Sequence, residues 1–67
     1  MENSAIYNEL IKRANYALAS KSRDLVYETY GAAKMALKLE AITKEQFFEL
    51  NEMLVHNGLN NPKARLN

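Results

Sequence analysis

Glu49, Glu52 and His56 stand at i, i+3 and i+7, a spacing that puts all three on one face of a helix. Two carboxylates and an imidazole so arranged could touch a divalent cation. Metal-binding bundles, however, draw their ligands from several helices. This chain has one histidine and no cysteine, which removes thiolate sites and leaves a structural zinc site without donors. The expectation is a solvated acidic face, with His56 near a helix C-terminus where its cationic form suits the dipole. No metal is expected. Nucleophilic catalysis fares no better. Ser4, Ser20 and Ser22 all fall near helix starts or ends, where serine caps, and no spacing joins one of them to His56 and an orienting acid. The two glycines, Gly31 and Gly58, are too far apart to form a phosphate-cradling loop. A cofactor would need a cavity of ~300 Å³ or more, which a small domain packed around small side chains is not expected to enclose. The chain therefore reads as no enzyme, with no catalytic residue and no cofactor.

Charge is the next chemistry to weigh. The net charge is +1 over 67 residues, so no overall basic field points to nucleic acid or an anionic membrane. Lys12, Arg13, Lys21 and Arg23 could form a local basic patch, with Lys63 and Arg65 added from the end of the chain. Two helices joined at AIT have the outline of a helix-turn-helix. The second of them, though, carries Glu45, Glu49 and Glu52 against Lys44 alone, and phosphate repels an acidic recognition helix. Nucleic acid stays as an alternative partner through Lys12, Arg13, Lys21 and Arg23.

The elements that would position these residues are helical. Alternating runs of β-branched residues are absent, so no strand is expected. A first helix, about residues 4–20, carries Ile6, Tyr7, Leu10, Ile11, Ala14, Ala17 and Leu18 at three- and four-residue spacing, and Asn3 or Ser4 could cap it. The polar run SKSRD breaks the pattern, with Ser22 as N-cap and Asp24 in the following first turn. A second helix, about 23–40, has a wide apolar arc of Val26, Tyr30, Ala33 and Leu37 beside Leu25, Ala32, Ala36 and Leu39. Gly31 in its interior costs about 0.5–1 kcal/mol relative to alanine. The expected explanation is a close crossing, in which Gly31, Ala32 and Ala36 face Ala14 and Ala17 toward the short end of the ~8–10 Å interaxial range.

A third helix, about 44–57, has the clearest local signals. In ITKEQF, Thr43 and Gln46 make a capping box, and Ile42 and Phe47 a hydrophobic staple. Phe47, Leu50 and Leu54, with Met53 beside them, form its stripe. Gly58 fits a left-handed position just past its end, with Leu59 folding back on Leu54. Residues 60–67 are expected to be a flexible tail. The fold class is all-α, a small three-helix bundle in one domain over residues 1–59.

The aromatics bear most on function. Tyr16, Tyr27 and Phe48 fall off the main stripes, and exposed aromatics with methionine are typical of partner surfaces. Tyr27, Met35, Leu39 and Phe48 are the candidate protein interface. A chain of 67 residues buries only about 60% of its unfolded surface and is correspondingly marginal, which favours self-association. The reading is a non-enzymatic helical interaction module that binds protein, regulatory in character, with a homodimer about as expected as a monomer. No apolar run is long enough to span a membrane, and MENSAIYNEL lacks the features of a secretory signal; a cytoplasmic location is the expectation. The stretch AITKEQFFELNEMLVHNGLNNP resembles small helical proteins of bacteria in style, a resemblance that names no family and carries no site.

Overall fold

Ser22 ends one helix and begins the next by a local hydrogen bond. Its side chain accepts from the backbone N–H of Leu25 at 3.2 Å, satisfying one of the donors that a helix start leaves unpaired. In a computed structural model of the chain, which describes residues 3–63 and 66 (side chains from residue 5 on), this cap separates α1 (Asn3–Ser20) from α2 (Arg23–Lys38). The expected cap of α1 at Asn3 or Ser4 rests on side chains outside those described. The break at SKSRD is real, and the two helices are distinct.

The turn is sharper than the sequence implies. Lys21 has φ 55°, its N–H donates to Leu18 O at 3.1 Å, and the Ser22 N–H donates to Ala17 O at 3.3 Å. That pair of bonds is a Schellman motif with lysine in the left-handed position. The end of α2 repeats it. Glu40 has φ 60°, the Glu40 N–H donates to Leu37 O at 3.0 Å and the Ala41 N–H to Ala36 O at 2.8 Å. The second helix thus stops at Lys38, short of the expected 40. Neither left-handed position is a glycine, and each costs roughly 1–2 kcal/mol for an L-residue.

Thr43 opens α3 (Lys44–Asn51) with the expected capping box. The Gln46 N–H donates to Thr43 Oγ1 at 3.1 Å, and the Thr43 N–H donates to Gln46 Oε1 at 2.9 Å. Ile42 is buried before it and Phe47 packs on the core after it, as the staple requires. The helix then widens. Glu52–Leu59 is a π-helical continuation, a geometry that is rare over such a length. It closes with the Asn60 N–H donating to Val55 O at 2.6 Å.

Gly58 lies inside this widened stretch, and neither glycine has a positive φ. The expected left-handed stop at Gly58 is therefore corrected. The helix end is set by wider hydrogen bonding, and Gly58 is buried against α1. A Cβ there would lie 2.9 Å from Leu18 Cδ2. The expected tail also differs in part: Leu66 is half-buried and packs toward the core, while positions 64, 65 and 67 lie outside the described residues.

The architecture is the expected all-α three-helix bundle, 37 × 17 × 14 Å. The first half of α1 lies beside the second half of α2, and Lys12–Tyr16 beside Leu25–Thr29, so the two form an antiparallel hairpin. The core joins Leu10, Ala14, Ala17, Val26, Ala33, Ala36, Ile42, Leu50 and Leu54. Four alanines in that set, Ala14 and Ala17 of α1 and Ala33 and Ala36 of α2, are buried between the helices. Gly31 takes no part. It is exposed, and nothing lies within 4 Å of where its Cβ would be; the close-crossing explanation of Gly31 is overturned. On a 3.6-residue period it points opposite to Ala33 and Ala36. Thr29, polar and outside the expected stripes, is buried, and its hydroxyl donates to Leu25 O at 2.8 Å. Bonding back to the preceding turn is how a helical threonine enters an apolar interior.

Candidate interaction surface

The residues with chemical potential stay apart from one another. His56 Nδ1 lies 3.5 Å from Glu52 Oε1, one turn away on an exposed face. Among the described residues, no group of three or more histidines and acids is gathered in a way that could hold a metal. Ser22 is committed to capping α2. Tyr7 is half-buried, and the pKa of its hydroxyl is raised above the ordinary 10, first by burial and then by the charge and hydrogen bonding of the Glu49 carboxylate.

The basic residues divide into two pairs. Lys12 and Arg13 border a cleft of about 400 Å³ with Tyr16, Glu9 and Glu28. Arg13 Nε lies 3.9 Å from Glu9 Oε2, both exposed, a pair worth little to stability. Lys21 and Arg23 flank the α1–α2 turn, about 13 Å further along the hairpin from Lys12. Acidic neighbours thus interrupt the patch where it is broadest.

The apolar side chains left outside are more coherent. Tyr27 is 54% exposed, Met35 55%, Leu39 70% and Phe48 62%. Tyr27 and Met35 stand eight residues apart on α2, Leu39 follows at its C-cap four residues past Met35, and Phe48 stands on α3 beside Phe47, ring centroids 6.3 Å apart. Phe47 in turn meets Tyr30 at 6.0 Å, so the aromatic contacts continue inward from Phe48. Met35 and Leu39 form one wall of an open groove of about 500 Å³, and Ile6 and Leu10 of α1 form the other, with Ala32 and Ala36 on its α2 side and Glu9 and Arg13 also bordering it. Ile6 was expected in the core stripe. It is 42% exposed, on the groove between the start of α1 and the last turn of α2. A smaller notch of about 330 Å³ lies on the outer side of α2, lined by Gly31, Lys34, Met35 and Lys38.

Sequence reasoning found Met35 and Leu39 from their excess over what two neighbours can cover. It missed Ile6 and the role of Gly31, because both depend on which way each helix faces. No helix among the described residues is long and apolar enough to cross a membrane. In comparison with known proteins, no family model, no curated protein and no solved structure matches the chain.

Proposed function

We propose that this protein is a non-enzymatic helical interaction module that binds protein through the surface formed by α2 and the start of α1. One observation carries the reading. In a chain with few large side chains to bury, Ile6, Met35 and Leu39 are left outside and line a single groove. Exposed apolar residues scattered singly are ordinary, whereas contiguous ones mark interaction sites. Aromatic and methionine side chains nearby fit the composition of interface centres, and methionine adapts to varied partner shapes.

The test is a photo-crosslinking amino acid at position 35 in the full chain, compared with the same position in a Leu39→Glu background. A defined protein adduct that is lost on Leu39→Glu supports the module. Equal labelling of another protein in both backgrounds, or no adduct in either, removes it. Salt-dependent retardation of labelled DNA that Lys12→Glu abolishes would instead favour a nucleic-acid accessory role through Lys12, Arg13, Lys21 and Arg23.

A further inference from the structure

The outer face of α2 has a symmetry that its burial pattern makes visible. Asp24, Tyr27, Glu28, Gly31, Lys34, Met35 and Lys38 are all exposed, and at 3.6 residues per turn they lie within about 60° either side of Gly31. The face is centred on the glycine. Tyr27 and Met35 stand four residues before and after it, and Asp24 and Lys38 seven before and after. Both acids lie in the first half, and both lysines in the second. A helix with this pattern is complementary to itself when reversed.

We infer that α2 is a self-association surface, on which two copies of this chain pair antiparallel about a two-fold axis level with Gly31. The inference rests on the reading of the protein as an interaction module and names its occupant as a second copy. Reversal lays the acidic half of each helix over the basic half of the other. Asp24 then comes level with Lys38 of the second copy, twice by symmetry. The two helix dipoles are also opposed, which is the favourable sense. Gly31 gives the axis room, because it projects nothing and leaves the notch lined by Gly31, Lys34, Met35 and Lys38. Tyr27 of the second copy falls at the level of that notch. There its ring meets a thioether and the Lys38 ammonium, contacts that suit an aromatic face, while Lys34 Nζ lies 5.5 Å over the Tyr30 ring of its own chain. The helix-interior glycine, which serves no contact within the chain, has its use between chains.

The face is small. Sixteen residues of helix span about 24 Å, and a standard interface of ~800 Å² per partner would need about a sixth of the 4756 Å² surface. One helix face lies at or below that size, so the dimer exchanges reversibly, with a dissociation constant of micromolar order.

Sedimentation equilibrium of the full chain, from about one to several hundred micromolar, is the direct measurement. The expected result is a mass rising from 7.7 kDa toward twice that value. Gly31→Gln fills the notch and should weaken the dimer at least about tenfold while the helical circular dichroism is kept. Asp24→Lys and Lys38→Glu should each weaken it about tenfold, and the double variant Asp24→Lys/Lys38→Glu should return to within about threefold of the parent. Only a pairing of the chain with itself allows that rescue. A mass of 7.7 kDa at every concentration overturns self-association, and a dimer unaffected by Gly31→Gln overturns the Gly31 face of α2 as its seat. Failure of the double variant to recover overturns the antiparallel register. The crosslinking at position 35 tells these failures from failure of the module itself, since an adduct with another protein would survive a monomeric result.

Discussion

Gly31 and Gly58 are the chain's two glycines, and they sit in opposite surroundings. Gly31 lies mid-helix on an outer face, with nothing within 4 Å of a Cβ position. Gly58 lies inside the π-helical stretch, buried, with Leu18 Cδ2 2.9 Å and Met53 O 3.6 Å from its Cβ position. The same residue type thus marks a tight internal contact at one site and an empty external one at the other. Composition and spacing suggested otherwise, a packed Gly31 and a left-handed helix stop at Gly58. What separates the two is the rotation of each helix about its own axis, which neighbours along the chain do not specify.

The largest effect should come from crowding the tight site. Gly58→Leu inserts bulk against Leu18 and should lower stability by about 1–3 kcal/mol, read as a fall in thermal midpoint. Gly58→Ala should cost less, because the opposing atom is the far end of a flexible side chain. An unchanged midpoint in Gly58→Leu would break the contrast between the glycines.

Thr43→Ala should cost on the order of 1 kcal/mol by opening the capping box. The cap sits where α3 turns back on α2, so an unchanged chemical-denaturation midpoint would show that tertiary contacts alone hold that corner.

The open site predicts the opposite sign. Gly31→Ala should raise the stability of the monomer by about 0.5–1 kcal/mol, measured at low concentration so that association does not enter. Gly31→Leu should leave monomer stability no lower than the parent. A large loss in either would restore a packed Gly31. Lys21→Gly and Glu40→Gly should each stabilise by up to about 1 kcal/mol, since strain relief at a positive φ exceeds the entropy that glycine adds to the unfolded chain.

The smallest effect is at Tyr7. Its proton is held more tightly in the folded chain, through burial first and Glu49 second. That contribution to stability is fully present below the unfolded value of 10 and is lost as pH rises past 10 through the raised folded value. Tyr7→Phe should flatten this alkaline decline in a pH series of melting midpoints. A decline of the same size in the variant would place its cause elsewhere.

Local features of the chain were decided by the sequence alone. Ser22 caps α2 and Thr43 with Gln46 boxes α3 because each bond reaches only three residues along the chain, and such bonds form whenever the turn forms. The all-α class and the alanine-rich crossing of α1 on α2 follow from periodicity, which needs no knowledge of partners. The excess of apolar side chains at Tyr27, Met35, Leu39 and Phe48 was legible for the same reason. Other features were set only by the tertiary structure. Lys21 and Glu40 take the left-handed helix stops, although neither is the glycine or asparagine that marks such a stop in a sequence. Glu52–Leu59 widens into a π-helix and brings Gly58 against Leu18, a residue far away in sequence. Ile6 is left on the groove between α1 and the last turn of α2. Gly31 faces outward because Val26, Thr29, Ala33 and Ala36 on the opposite side are claimed by the core, and a helix can bury only the face its neighbours reach.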